Sequence, residues 1–544
     1  MRSMLATLVV FALSAAWVGE AGGVEIHKRF REERGGLWTV REAGETWTPS
    51  ESAIIVCDMW DSHHCLNAVR RVNELAPRMN AVLGQARALG MLIIHAPSGC
   101  MAAYEDHPGR AVAKLAPTSS EPPADIDQWC RQIPSEERGV YPIDQTQGGE
   151  DDDPAEHAAW HARLSALGRD PKLPWKRQTP LLTIAAGDAI SDSGVEIWNL
   201  LESRGVENVV LLGVHTNMCV LGRPFGLRQM ARNGKNVVLM RDMTDTMYDP
   251  AAWPYVNHFA GTTLIVEHIE KFVCPTITSH DLVGGEPFRF ARDRRRLTVI
   301  IGEDEYETAR TLPAFVASDL EPLGFEVTVV EADAGDPNHF PRMAEAIEQA
   351  DAVLISVRRR LPTNEALDAL RRHVASGKPL IGVRTASHAW LLRDEAQNEA
   401  AIARHQGVWR EFDADVLGGH YTNHHPAGPK TAIRLANSAA DHPILRGVAI
   451  DALAGNGALY KVSPLGSRAT PLLWGEIAGA PVEPIAWTNL AAPGSARVFY
   501  TSLGHPDDFE SPAFRKLLVN GILWAIDQPY ATVKDIDELL PSGG

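Results

Sequence analysis

The stretch Asn208 to Val220, NVVLLGVHTNMCV, joins an apolar run to a short polar turn that ends on a cysteine. A continuous run of valine and leucine of this length reads as a strand covered on both faces. The turn His215-Thr216-Asn217 leads toward helical spacing near Arg223–Asn233, so Cys219 stands where a strand gives way to a helix. Backbone N–H groups and the positive end of a helix dipole favour a thiolate there, which predicts a lowered thiol pKa.

Outward from this point the same alternation continues. Ala53–Cys57 (AIIVC) reads as a strand, with Asp58 at the carboxyl end where open α/β sheets place their ligands. Helical spacing over Ala68–Leu89 and a strand at Met91–His95 come next. Beyond the irregular segment 99–175, which holds a charged loop at 148–155, come a helix at Val195–Arg204 and strands at Asn236–Met240 and Thr263–Val266. A second series starts at Leu297, with strands at Leu297–Ile301, Glu326–Val330, Ala352–Val357, Pro379–Val383 and Arg497–Thr501. The expected fold is α/β: two doubly wound, mostly parallel, three-layer domains at 50–283 and 297–530, joined by a linker at 284–296.

The net charge of −17 leaves no basic excess for a nucleic-acid backbone. The basic clusters at 292–296 and 358–360 read as solvated surface. Arg2, the apolar run Met4–Val18 and the small residues at 19–23 form a signal-peptide pattern at 1–21, with export to the periplasm or beyond as the expectation. No other stretch reads as a transmembrane span. The six cysteines all precede residue 275 and include no C-x-x-C pair, which fits neither a disulfide framework nor a thiolate zinc site.

Asp58, Lys176 and Cys219 can act together: a carboxylate accepts the thiol proton and an ammonium steadies the charge. Val56-Cys57-Asp58-Met59 and Gly213-Val214-His215-Thr216-Asn217-Met218-Cys219-Val220 resemble the aspartate and nucleophile segments of the isochorismatase-like cysteine hydrolases. The resemblance spans residues 50–280 and places Lys176 as the third member of the triad. It implies a small-molecule substrate with an amide or carbamoyl carbonyl and a thioester acyl-enzyme. The N–H groups of His215 and Cys219 would form the oxyanion site, next to a cis peptide between Val214 and His215. Trp60 replaces the family's glutamine, and with His95, Thr216 and Asn217 it is a pocket candidate. The strand ending at His95 lacks the Asp-x-His zinc motif of the nicotinamidase branch, so no metal and no cofactor are expected. An ether hydrolase and a non-catalytic binding scaffold are the alternatives. A homo-oligomer is compatible with all three.

Asp304-Glu305-Tyr306, Thr311–Phe315, His420-Tyr421, Ala486-Trp487 and Gly504-His505 resemble the trehalose-utilisation (ThuA-like) family, whose fold is that of class I glutamine amidotransferases. Arg384 stands where the amidotransferase elbow carries its cysteine, which speaks against amidotransfer. The resemblance implies a carbohydrate-related ligand, with Asp304, Glu305, Arg384, His388, His420 and His505 as cleft candidates.

Overall fold

The run Asn208–Val214 is buried from end to end. In a computed structural model describing residues 23–491 and 495–527 it lies at the centre of the first sheet, while the signal-peptide pattern at 1–21 falls outside the described residues. In chain order the first half contains β1 (Val24–Arg34), β2 (Leu37–Trp47), β3 (Ser52–Cys57), α1 (Leu66–Leu89) and β4 (Leu92–Ala96). Next are α2 (Pro108–Lys114), α3 (Pro154–Ala166), β5 (Ala189–Ile190), α4 (Gly194–Ser203) and β6 (Asn208–Val214). Last come α5 (Leu227–Arg232), β7 (Asn236–Asp245), α6 (His258–Phe272) and β8 (Thr276–Ile277).

Among the described residues the sheet has eight strands in the order β2-β1-β8-β7-β6-β3-β4-β5. The strands from β8 to β5 run parallel, and the β1–β2 hairpin is antiparallel at one edge. Cys57 pairs with Gly213 across β3 and β6, so the two strands release their chains at the same carboxyl edge of the sheet. That register brings Asp58 to the turn containing Cys219.

Two features differ from the sequence reading. The sheet begins at Val24, before residue 50, because β1 (VEIHKRFREER), next to the edge strand β2, is highly charged and has too few apolar residues to show alternation. Thr263–Val266 lies inside α6 and is not a strand. Asn257 caps that helix, its side chain accepting from the Ala260 N–H, and Phe259, Ile265, Val266 and Ile269 are buried, so helical periodicity prevails over β-branched composition.

The second half contains β9 (Arg296–Gly302), β10 (Glu326–Glu331), β11 (Ala352–Val357), β12 (Leu380–Val383), β13 (Asn423–His424) and β14 (Thr431–Leu435). It continues with β15 (Ala454–Gly455), β16 (Tyr460–Lys461), β17 (Thr470–Glu476), β18 (Glu483–Ala491) and β19 (Ala496–Thr501). Its main sheet runs β10-β9-β11-β12-β19-β18-β17-β14-β15. Pairings are parallel as far as β19 and antiparallel beyond it, so the sheet is mixed. One buried apolar cluster includes residues of both halves, among them Ile269, Leu320 and Phe325. Polar ties cross there too: Lys516 Nζ donates to Pro254 O at 2.8 Å and Arg295 Nη1 to Thr263 Oγ1 at 2.6 Å.

Several buried guanidiniums bind the 99–175 segment to the rest of the first half, among them Arg228 to Glu136 at 2.7 Å, Arg70 to Glu156 at 2.9 Å and Arg71. Arg71 of α1 donates from Nε to Asp245 Oδ2 at 2.7 Å and from Nη1 to Asp151 Oδ2 at 2.7 Å. Burial alone would raise both carboxyl pKa values, but Arg71 and His258 bring them below the ordinary range. A depressed carboxyl contributes stability above its unfolded pKa and loses it as pH falls through the lower folded value. Arg71→Met would take the guanidinium from two buried carboxylates and leave them with His258 beside them. We expect a loss of about 3–5 kcal/mol in denaturant unfolding at pH 7, shrinking toward pH 4 as the carboxylates protonate.

Candidate active site

Asp58 immediately succeeds β3 and has φ 47°, a left-handed conformation unusual for a non-glycine residue. The strained turn directs its carboxylate into a fully buried position. Ser98 N–H donates to Oδ1 at 2.7 Å and Arg223 Nε donates to Oδ2 at 3.1 Å. The Cys219 thiol lies beside the same carboxylate and interacts with it. Cys219 lies in the single turn Thr216–Val220 just after β6. Arg223 is four residues further on, so cysteine and guanidinium project to the same side. The Val214–His215 peptide is cis, and the His215 backbone N–H lies at the Cys219 sulfur.

Burial raises the Asp58 pKa, while Arg223, the thiol and Ser98 pull it back down. Burial and the Asp58 charge push the Cys219 pKa well up, and Arg223 and the His215 N–H only partly offset them. The lowered thiol pKa expected from the helix dipole is therefore reversed. Desolvation and a neighbouring carboxylate outweigh one short turn of oriented N–H groups. Both effects favour the neutral thiol, set beside the Asp58–Arg223 ion pair.

Lys176 does not join this pair. It is exposed, and its backbone N–H, 2.9 Å from Asp61 Oδ1, is what the fold holds. The cation beside Asp58 and Cys219 is Arg223, which sequence reasoning missed although its i, i+4 spacing from the cysteine was readable.

The pocket candidates divide. Trp60, with Asp58, Ser62, His63 and His215, lines a cavity of about 10 Å³, room for roughly one water. Ser62 Oγ and His215 Nε2 are buried without hydrogen-bond partners. His95 is occupied elsewhere, with Nδ1 2.9 Å from Gln178 Oε1 and Nε2 3.1 Å from Asp188 Oδ2. Thr216 bonds Thr244 at 2.7 Å and Asn217 bonds Met247 O at 2.9 Å, so both hold the turn in place. The 99–175 segment and its end cover the site. Trp175 stacks on Trp60 at 4.4 Å, Trp129 lies 4.7 Å from the Arg223 guanidinium, and Trp160 Nε1 donates to His63 O at 2.8 Å.

Cys65, Asp151 and Asp152 come close enough to hold a cation. Their carboxylates already have partners: Asp151 binds Arg71, and Asp152 accepts from the Leu66 and Asn67 N–H groups at 2.8 Å each. These residues therefore read as the cap of α1.

In the second half Arg384 comes directly after β12 with φ 44° and is 2% exposed. Glu305, His388 and His505 line a neighbouring cleft of about 360 Å³. His420 faces a smaller cavity, paired with Asp413 at 2.7 Å, and Asp304 is an exposed partner of Arg358 and Arg360, so neither lines that cleft.

Residues 296–525 match the family described as ThuA, trehalose utilisation, and the second half carries that domain. A ThuA-like protein from Bacteroides uniformis is similar in structure at 15% identity and TM-score 0.33, covering 45% of this chain and 97% of that one. A cysteine hydrolase from Pseudomonas syringae pv. phaseolicola is similar at 14% identity and TM-score 0.26, covering 43% of this chain and 92% of that one. An isochorismatase family protein from Burkholderia thailandensis is similar at 17% identity and TM-score 0.23, covering 43% and 94%. No curated protein matches the chain.

A thiol whose pKa is raised should be a slow nucleophile toward simple reagents. At pH 7.5 iodoacetamide should label Cys219 more slowly than free cysteine, tracked peptide by peptide by mass spectrometry. Faster labelling would reveal a standing thiolate and contradict the charge distribution described above.

Proposed function

We propose that the first half is a cysteine hydrolase for small amide or carbamoyl substrates. The observation that carries this reading is a buried thiol set beside a buried carboxylate that is itself clamped by a guanidinium 3.1 Å away. Attack of sulfur on the carbonyl would be coupled to transfer of its proton to Asp58, because the thiolate is not preformed. Arg223 steadies the Asp58 charge before transfer and the developing oxyanion region afterwards. Asp58 then returns the proton to the leaving amine, and water, deprotonated by the same carboxylate, cleaves the thioester. Ser62 Oγ and His215 Nε2 are free to bond substrate. Export is part of the proposal and rests on the pattern at 1–21. All six cysteines are free thiols, so the reading requires no disulfide.

The small cavity favours a second reading, a closed scaffold that does not turn over. A panel of small amides, ureido acids and hydroxamates separates the two: any Cys219-dependent release of amine excludes the scaffold. For an active substrate, Cys219→Ala should lower kcat by about 10⁴-fold or more. Arg223→Ala should cost roughly 10²-fold, and Lys176→Ala should leave kcat nearly unchanged. Substantial turnover in Cys219→Ala would mean that water attacks directly, as in ether hydrolysis.

The acid limb of kcat/KM should lie above the ordinary aspartate value of about 3.9, since burial raises Asp58. Arg223→Gln removes a group that lowers the Asp58 pKa and should shift that limb to still higher pH. A limb that stays in place would disconnect Asp58 from the rate.

A further inference from the structure

We propose that the cleft in the second half binds a small organic anion through Arg358 and Arg393. The cleft measures about 360 Å³, within the range of small-molecule sites. Arg358 and Arg393 stand in its walls with the rings of Tyr306, Tyr421 and Tyr460. Arg384 lies directly behind the floor, packed so closely on Gly457 that a Cβ added there would overlap its guanidinium. Arg359 is next to His388, its backbone N–H bonded to His388 O at 3.0 Å.

Arg358 is paired with Glu305 at 2.6 Å and with the exposed Asp304 at 3.7 Å, but the other three guanidiniums have little to neutralise them. The nearby Asp508 carboxylate accepts from the Gly504 and His505 N–H groups. Among the described residues no carboxylate forms an ion pair with Arg359, Arg384 or Arg393. The Nε atoms of Arg359 and Arg384 are buried without any hydrogen-bond partner. Arg384 instead donates to Ser502 O at 2.6 Å and lies 4.0 Å from the Tyr306 ring and 4.8 Å from that of Tyr460. A buried cation resting on carbonyls and ring faces keeps most of its field for whatever enters the cleft. Burial and these guanidiniums also hold the His388 pKa far down, at about 3, so its imidazole is neutral and can accept a hydrogen bond from a hydroxyl of the ligand. The ligand class that fits is a carboxylate or phosphate on a polar, hydroxylated body. The guanidiniums receive the oxyanion, and the tyrosine and histidine rings flank the rest.

Titration calorimetry on the full chain tests this with four probes: inorganic phosphate, glucose 6-phosphate, glucuronate and uncharged glucose. At least one anion should bind, more weakly at 200 mM than at 20 mM NaCl, while glucose binds far less. Binding of the phosphates alone identifies a phosphate ligand, and binding of glucuronate alone a carboxylate. Arg393→Gln, an exposed position whose effect on folding is checked by the unliganded Tm, should weaken binding about tenfold or more. Cys219→Ala should bind as tightly as the unaltered protein, which keeps this result separate from the hydrolase reading. Equal binding of glucose and glucuronate, no binding of any anion at 10 mM, or an unchanged affinity in Arg393→Gln would each overturn the proposal.

Discussion

The contact on which the first half depends is the one between Asp58 and Arg223. A carboxylate with no exposure to water is tolerable only if a counter-charge and hydrogen bonds are fixed around it. The fold provides them from three separate places: the Ser98 N–H after β4, the guanidinium one turn beyond Cys219, and the thiol itself. All three converge because β3 lies between β4 and β6 in a parallel register. Parallel order at the sheet centre is therefore what makes the site possible, and Arg223 is what makes its burial tolerable in free energy.

How much of this is legible in the sequence depends on where the information lies. Strands of continuous apolar residues announce themselves, so β3, β6, β9 and β11 are visible, and with them the positions of Asp58 and Cys219. The hairpin Val24–Trp47 is not, since its stability comes from pairing at a solvated edge and charged residues break up its apolar ones. β14 and β17 escape for a related reason: they are short or partly exposed and belong to the antiparallel side of the second sheet. Lys176 is placed by motif separation alone, which carries no information about side-chain direction. Arg223 emerges only on asking which cation lies within one helical turn of the cysteine.

The 99–175 segment helps bury the site. Its attachments include Arg71 to Asp151 and Arg228 to Glu136, and it carries Trp129 to Arg223 and Trp160 to His63, while Trp175 at its end reaches Trp60. Removing water raises the thiol pKa, and under the proposed reaction this would withhold the nucleophile until a carbonyl is in position. The same cover leaves a cavity of about 10 Å³, so any substrate enters only as the tryptophan roof shifts. Thiol protection and substrate admission are thus two consequences of one layer of aromatic side chains, and they cannot be tuned independently.

The two halves resolve the same structural situation with opposite charges. Asp58 succeeds β3 at φ 47° and Arg384 succeeds β12 at φ 44°, each a charged non-glycine residue in the left-handed region at the carboxyl end of a central parallel strand. Such a turn lifts one side chain out of the sheet toward the ligand edge, and its strain persists only where the surroundings over-determine it. In the first half the residue so presented is an anion, neutralised by a single guanidinium and joined to a thiol, which yields a site able to move a proton. In the second it is a cation resting on two tyrosine rings and a carbonyl, with further guanidiniums nearby, which yields a site able to hold a charge. The contrast comes from one residue choice at each elbow: a carboxylate beside a thiol can accept a proton, whereas a guanidinium can neither attack nor accept one and can only attract.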